Sequence, residues 1–472
     1  MSAKHSLRKV SSWADTYRGQ SYVIDAATEM DCLEALDFAT KNNLTIGMLG
    51  SGCSFGDSVV NNRNVILNLR PMNSILSWSV EDGVVVAEAG VSMRELLFRF
   101  MSEGFVPSSV PGTLNATIGG AIANNVHGKD SISVGNFGRQ VIWIELLTAD
   151  GVTHRISREH ELDLFRATVG GLGLTGIILR AALKLKKIPS IIVDQTTTYT
   201  GSIEDTCHDL WTTKEADYAQ VWLDGYPKGN GLGRGMNMSA KFIEDQDLSQ
   251  SDLSQDDIGN SLKENNLLLG VIPSKAFWRC TRFCFYPPIM PWVNYAYWKK
   301  DQIFNRQKQS MRPTLFSKFY FFHNNIPNFY SVYCPPGFIE IQALLPTSGN
   351  HENFRLLLEL ARKKGITPTL SGMKRALPDD YYISFQGHGM SISFDIPIKP
   401  FGLPELRKRV QPLFEKIVDL GGTVNLSKDQ LMPREIFKEA YPRWKDFWRV
   451  KNVIDPNRLF QNDMARRIFN FE

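Results

Sequence analysis

Apolar positions along this chain follow two periods, strict alternation and the three-to-four spacing of a helix face, and the switches between them predict its elements. Tyr22-Val-Ile24 starts a strand, and Thr28 then opens a helix with Cys32, Leu33, Leu36 and Ala39 on one face. Thr45–Leu49 is a short strand running into a glycine-rich loop; Val65–Leu69, Ile75–Trp78 and Val84–Ala89 are further strands. Ser92-x-x-Glu95 is a capping box for a helix carrying Leu96, Leu97, Phe100 and Met101. Ala116–Asn124 reads as helical, and the apolar strands Val141–Thr148 and Gly176–Leu185 flank a short helix, Glu161–Thr168. Strands and helices in this order predict an α+β arrangement up to about residue 190.

Beyond that point the pattern changes. Residues 191–243 read as strand and helix of a second unit. Asp245–Asp257 is polar, with Asp-Leu-Ser-Gln at 247–250 and again at 252–255, and predicts a mobile surface loop because it has little apolar surface to bury. Residues 271–298 concentrate aromatics, including Phe277, Trp278, Phe283, Phe285, Tyr286, Trp292, Tyr295, Tyr297 and Trp298, among Pro, Arg and Lys. Two readings stand: a loop-rich core, or an apolar surface for a lipid-like substrate or a membrane face. Phe338–Leu345 is a strand ending at Pro346, and Glu352–Lys364 a helix. In Ile383–Ile396 the residues Ser391, Ser393 and Asp395 alternate with Ile392, Phe394 and Ile396. A helix at Pro404–Leu420 stops at Gly421-Gly422, and the remaining tail returns to compact helical character.

Length and charge narrow the function classes. The 472 residues predict two or three folded units, and a hydrophobic content of 43% suffices for their cores. A formal charge of +4 is far from a nucleic-acid footprint. Met1 to Trp13 lacks the apolar stretch of a secretory leader, and no window is long enough to span a membrane. The 6 scattered cysteines point to reduced thiols in a cytoplasmic setting; Cys280 and Cys284 have no second pair to complete a zinc site.

Chemistry concentrates in three glycine-rich stretches: Gly50-Ser-Gly-Cys-Ser-Phe-Gly-Asp57, Pro111-Gly-Thr-Leu-Asn-Ala-Thr-Ile-Gly-Gly120 and Gly170-Gly-Leu-Gly-Leu-Thr-Gly176. Glycine turns bring backbone close to a ligand, and successive N–H groups make an anion-binding concavity. Three in one segment suggest a large phosphate-bearing cofactor wrapped by loops. Gly171-x-Gly173-x-x-Gly176 matches the dinucleotide fingerprint only as a string, since a helix precedes it and a strand follows, the reverse of a Rossmann context. The second loop leads into the helix near Ala116, whose N-terminus favours negative charge. His127, in Asn-Asn-Val-His-Gly-Lys129, is a candidate site residue.

Together these stretches resemble the FAD-binding domain of the vanillyl-alcohol oxidase superfamily, in particular the flavin subunits of two-protein sugar epimerases. The likeness covers almost the whole chain and is densest in Pro111–Gly138, Leu146–Gly151 and Ala167–Ile178, returning at Asp395–Lys399, Ser427–Asp429, Tyr441–Arg443 and Asp463–Arg467. It implies a two-part FAD-binding domain (PCMH type) made of residues 1–190 and 423–472, with an α+β substrate domain, built on an antiparallel sheet, inserted at 191–422. It implies FAD contacts at Gly50, Ser51, Gly52, Cys53, Ser54, Phe55, Pro111, Gly112, Thr113, Thr117, Ile118, Gly119, Gly120, His127, Gly128, Gly173, Gly176, Ile178 and Asn425. Lys428 is implied near the flavin ring, and Lys374, Gln342, Glu340, Ser391, Ser393 and Phe322 in the substrate pocket. Covalent relatives often carry histidine where this chain has Cys53, so non-covalent FAD is expected. In the epimerase branch the positions of Ser393, Glu340, Asn425 and Phe322 are Cys, Gln, Tyr and Tyr, so the resemblance leaves the sugar and its lipid carrier open.

The expected activity is FAD-dependent oxidation of a sugar secondary alcohol to a ketone, as the oxidase half of a polyprenyl-phosphoryl-pentose 2′-epimerase with a short-chain reductase partner. Catalysis is expected at Lys428, which either positions the hydroxyl oxygen or accepts its proton, and at His127; Lys374 would meet a substrate phosphate. Two other readings stay open: an oxygen-dependent alditol or aldonolactone oxidase, and a catalytically silent flavin-binding partner. A cytoplasmic protein, peripheral to the membrane through residues 271–298, is the expected setting.

Overall fold

The computed structural model describes residues 6–13, 15–129, 133–244, 267–268, 272–273, 278–286, 288–305, 309–321, 329–346 and 351–469. Phe277, Phe322 and the repeat at 245–257 lie outside the described residues.

Three sheets carry the fold, beside a two-stranded pairing of β14 (Leu267–Leu268) with β15 (Ile272–Pro273). In the first, β1 (Leu7–Ser11) pairs antiparallel with β2 (Arg18–Asp25), while β2 and β3 (Ile46–Leu49) flank β4 (Val65–Asn68) in parallel. The helix Glu29–Lys41 starts where predicted: the Thr28 side chain accepts from the Asp31 amide at 3.2 Å, and the Asp31 carboxylate accepts from the Thr28 amide at 2.8 Å. Its Cys32, Ala35, Leu36 and Ala39 pack in one core with Ile46, Val65 and Leu67.

The second sheet is antiparallel, in the order β5 (Ile75–Ser79), β6 (Val84–Glu88), β10 (Ile177–Lys187), β8 (Val141–Leu147), β9 (Thr153–Ser157), with β7 (Phe105–Pro107) also on β10. Ser92 caps the helix Met93–Phe100, whose Leu96, Leu97 and Phe100 are wholly buried. The predicted helix at Ala116–Asn124 shortens to Ile118–Ala123, capped by Thr117.

The third sheet is also antiparallel, running β16 (Gln309–Leu315), β11 (Ile192–Thr200), β13 (Gly235–Phe242), β12 (Tyr218–Leu223), β18 (Gly372–Ala376), β19 (Gly389–Pro397), β17 (Phe338–Pro346), β20 (Thr423–Val424). Alternation sorts its two faces. Ile339, Ile341, Ala343, Ile392, Phe394 and Ile396 share a core with the helices Glu352–Lys363 and Leu403–Asp419. The other face is polar: register sets Glu340 opposite Asp395, Gln342 opposite Ser393, and Ser391 opposite Lys374.

The aromatic segment is not the loop-rich core that its prolines suggest. Its described part contains the helix Met290–Asn305, with Pro291 in the first turn, where a missing N–H costs nothing. That helix is anchored by Asn294, which donates to Asp224 Oδ1 at 3.0 Å, and by Arg234, whose guanidinium lies 5.0 Å from the Tyr295 ring centre and 4.8 Å from that of Trp298. Phe283, Tyr286 and Trp292 stay exposed, Trp292 at 76%. No helix among the described residues is long and apolar enough to cross a membrane.

The tail is helical at Arg434–Ala440, Trp444–Ile454 and Asp463–Phe469. Between the last two, Asp455, ion-paired with fully buried Lys451, accepts from the Leu459 and Phe460 amides at 2.7 and 2.8 Å. This turn sets the chain beside β3, where Ile46 N meets Leu459 O at 2.7 Å and Gln461 N meets Ile46 O at 2.9 Å.

A loop before β19 ties the third sheet to the second glycine stretch. Asp379 accepts from Asn125 Nδ2 at 2.6 Å and from Ser384 Oγ at 3.1 Å. Burial lifts its carboxyl from 3.8 to about 6. A folded-state pKa above the unfolded one favours the protonated acid, so this contribution is full below pH 3.8 and lost as pH rises through about 6. Thermal melts should therefore show the advantage of wild type over Asp379→Asn shrinking between pH 5 and pH 8, by about 1.4 kcal/mol in unfolding free energy; an advantage that holds constant or grows refutes the assignment.

Candidate functional site

The three glycine stretches, separated in sequence, meet in space. A Cβ added to Gly50 would lie 2.4 Å from Thr117 Oγ1, so the first loop touches the second only because it has no side chain there. The third is tied to the second by Gly170 N to Ile122 O at 3.0 Å and Leu172 N to Ala123 O at 2.7 Å. The amides of Gly50, Ser51, Gly52, Cys53 and Ser54 donate to nothing among the described residues, and neither do those of Gly112 and Thr113. A Cβ on Gly112 would meet nothing within 4 Å. Backbone donors of this kind, unspent and with open space before them, form an anion cradle. The second loop contributes less than expected of it: Ile118 N and Gly119 N are taken by Val91 O and Ala89 O, both at 2.8 Å, and Gly120 N by Thr117 Oγ1 at 3.3 Å. The structure brings Gly173, Gly176 and Ile178 to this region, with Gly173 against Met48 and Gly176 against Leu147.

Buried side chains in the same loops are also unsatisfied. Ser51 Oγ, Asn124 Oδ1, Asn136 Oδ1 and His127 Nδ1 have no partner among the described residues. Gln342 fixes the tautomer of His127. Its Oε1 accepts from Asn425 Nδ2 at 2.9 Å, which turns its Nε2 toward His127 Nε2, also at 2.9 Å. The ring nitrogen at that contact accepts, and the proton sits on the unpartnered Nδ1. Burial, reinforced by the charges of Lys374 and Lys428, holds His127 well below its ordinary value, so the ring is neutral. Burial pushes the Cys53 thiol up to about 11.

Beyond His127 lies the polar face of the third sheet. Lys428 Nζ donates to Glu340 Oε1 at 2.6 Å and stands 5.2 Å from the centre of the Phe55 ring. Burial, then the Glu340 carboxylate, pushes the Asp395 carboxyl well above the usual range, although part of its surface stays open. Ser391 Oγ lies 3.5 Å from Gln342 Nε2; the Ser393 hydroxyl is committed to the Gly372 amide at 3.1 Å. An aromatic wall closes one side: Trp13 packs on Phe55 with ring centres 4.7 Å apart, Phe55 on Phe338 at 5.7 Å, Tyr333 on Phe338 at 4.5 Å and Phe285 on Tyr333 at 5.4 Å. Thus His127, Gln342, Asn425, Lys428 and Glu340 form one contiguous group, with Lys374 within electrostatic reach; Phe322 lies outside the described residues.

Residues 20–157 match the FAD binding domain family. The chain is 30% identical to decaprenylphosphoryl-beta-D-ribose oxidase of Mycolicibacterium smegmatis over 89% of this chain and 88% of that protein. It is 23% identical to L-gulonolactone oxidase of Bos taurus, over 98% of each, and 20% identical to L-gulono-1,4-lactone dehydrogenase of Mycobacterium tuberculosis, over 95% and 96%. The chain belongs to the vanillyl-alcohol oxidase family. As a member, it is an FAD-dependent oxidoreductase acting on a CH–OH group.

One part of this flavoprotein's site carried no assigned role in the sequence reading. Arg467, 17% exposed, holds Asp57 of the first glycine loop bidentately at 2.8 and 2.9 Å, and Asp429, next to Lys428, at 3.0 Å. Burial leaves Asp429 above its ordinary value despite that guanidinium. Phe55 N and Gly56 N both donate to Ser427 O, at 3.1 and 3.4 Å, and a Cβ on Gly56 would strike Asp429 O at 2.0 Å. The only sequence signal for this clamp was the Asp463–Arg467 string; Asp57 and Arg467 stand 410 positions apart. Arg467→Met leaves two buried carboxylates without their cation, and should cost about 3–5 kcal/mol in urea unfolding together with loss of bound FAD on gel filtration; wild-type stability and flavin content in the variant would disprove the clamp.

Proposed function

We propose that this flavoprotein oxidises a secondary alcohol of a sugar carried on a polyprenyl phosphate to the ketone, as the oxidase half of a 2′-epimerase. A short-chain reductase would return hydride to the keto product. The observation that carries this reading is the polar sheet face, with the ion pair Lys428–Glu340 and the chain Asn425–Gln342–His127 side by side. Similarity to the decaprenylphosphoryl-ribose oxidase over 89% of the chain supports the substrate class. Residues 1–190 with 423–472 are read as the flavin unit and 191–422 as the substrate unit; sheets drawn from residues 7–187 and from 192–424 support the first boundary, and β20 carries the third sheet two residues past the other.

The free amides of Gly50–Ser54, Gly112 and Thr113 would hold the FAD diphosphate, and the His127 Nδ1–H and Ser51 hydroxyl offer further contacts. Phe55, Pro111, Thr117, Gly128, Gly173, Gly176, Ile178 and Asn425 complete that set; Ile118, Gly119 and Gly120 would act through packing, since their amides are spent. Cys53, held as a neutral thiol, suits non-covalent binding. Bound FAD supplies a two-electron acceptor for the carbinol hydride. Lys428, an ammonium in its ion pair, has no lone pair for a proton, so its role here is to orient the hydroxyl oxygen. Lys374, with Ser391 beside it, would take the substrate phosphate as a point charge. The exposed Phe283, Tyr286 and Trp292, near Arg279 and Arg282, would rest on the membrane that holds the prenyl chain.

A second reading, an oxygen-dependent lactone or alditol oxidase, is favoured by the lactone oxidase relatives that match along almost the whole chain. Mixing the holoenzyme anaerobically with phosphoprenyl pentoses, free alditols and aldonolactones distinguishes them. Flavin bleaching by the phosphoprenyl pentose, slowed about 100-fold in Lys428→Ala, is the expected result; bleaching by lactones alone, or an undiminished rate in the variant, would overturn the substrate or the lysine assignment respectively.

A further inference from the structure

We propose that Glu340 is the catalytic base: its carboxylate takes the hydroxyl proton of the alcohol while Lys428 holds the oxygen. This rests on the alcohol-oxidation reading above and supplies the proton acceptor that reading lacks. Oxidation of a carbinol releases two groups. The C–H bond leaves with its electron pair as hydride, to the oxidised flavin; the O–H bond leaves its electrons on oxygen, which closes the C=O bond, and gives its proton to a base.

Elimination among the titratable groups of the described residues singles out that base. His127 is neutral, but its Nε2 lone pair is occupied by the Gln342 amide and its Nδ1 already carries the proton. Lys428 and Lys374 are cations. The Tyr333 hydroxyl is bonded to Thr369 Oγ1 at 2.8 Å, and burial raises its pKa far above neutrality. Asp395, opposite Glu340 on the adjacent strand, has its carboxyl pushed well above the usual range by burial and by the Glu340 charge, and it is Glu340 that meets the Lys428 ammonium. Glu340 remains. One oxygen accepts from Lys428 at 2.6 Å; Oε2 has no partner among the described residues. The two groups are therefore side by side, so an alcohol oxygen that meets the Lys428 ammonium lies within reach of the free carboxylate oxygen. A hydrogen-bond donor and an acceptor that touch one substrate oxygen from two sides are what hydroxyl deprotonation requires.

The test uses the FAD-loaded full chain and the alcohol that bleaches it. Glu340→Gln keeps the shape and the hydrogen bond to Lys428 but cannot accept a proton. Its rate of anaerobic flavin reduction should fall by about 10²–10⁴-fold, and the rise of rate with pH expected of wild type should be absent. Glu340→Asp should keep that rise at a reduced rate. Calorimetry of ketone binding in buffers of different ionisation enthalpy gives a readout independent of turnover. Wild type should take up a proton, because the protonated Glu340 donates to the ketone, and Glu340→Gln should not. A variant that reduces flavin within about tenfold of wild type, or that retains the wild-type pH profile or proton uptake, overturns the proposal. Wild-type protein that no alcohol of the panel bleaches defeats the alcohol-oxidation reading itself, and the proposal with it.

Discussion

A buried guanidinium holds the two halves of the site in register. Arg467 spans the Asp57 and Asp429 carboxylates, and through them joins the loop with the unspent amides to the loop that carries Lys428. Without the cation, two carboxylates packed this closely repel each other in a low-dielectric interior. With it, the Ser427 carbonyl can settle on the Phe55 and Gly56 amides, a contact so close that Gly56 admits no side chain. The position of Lys428 is therefore inherited from the cofactor loop rather than from its own strand, since β20 ends at Val424.

The other half of the site comes from the pleat of a sheet. On β17 and β19 the inward residues are aliphatic or aromatic, and the outward ones include Glu340, Gln342, Ser391, Ser393 and Asp395 beside Phe338 and Leu344. In an ordinary two-layer domain that outward face meets water. Here it is covered by His127 and by the segment from Asn425 to Lys428, so its polar groups must bond with one another. The hydrogen-bonded row from Asn425 through Gln342 to His127 results, and it keeps the tautomer of the imidazole single, while burial and the two lysines keep the ring neutral.

What could be read in the sequence was local. The capping boxes at Thr28 and Ser92 are complete within four residues, and the alternation from Ser391 to Ile396 fixes a two-faced strand without knowledge of its neighbours. The gathering of the glycine loops and the pocket group around Lys428 were legible through resemblance. Non-local effects were not. The Asp57–Arg467 pair has no periodicity to betray it, and the amides of Ile118 and Gly119 look as free on paper as those of Gly50 to Ser54 until the β6 end is seen against them. The helix Met290–Asn305 was masked by its prolines, because composition does not tell a first-turn proline from a loop proline.

The order of residues along the chain adds a temporal consequence. Asp57 is made early, whereas Arg467 follows it by more than four hundred peptide bonds. A nascent polypeptide can build the glycine loops long before the guanidinium clears the ribosomal tunnel. During that interval Asp57 lacks its counter-charge and Lys428 has no fixed address. Synthesis alone thus delays the assembly of a reactive centre until residue 467 has been translated.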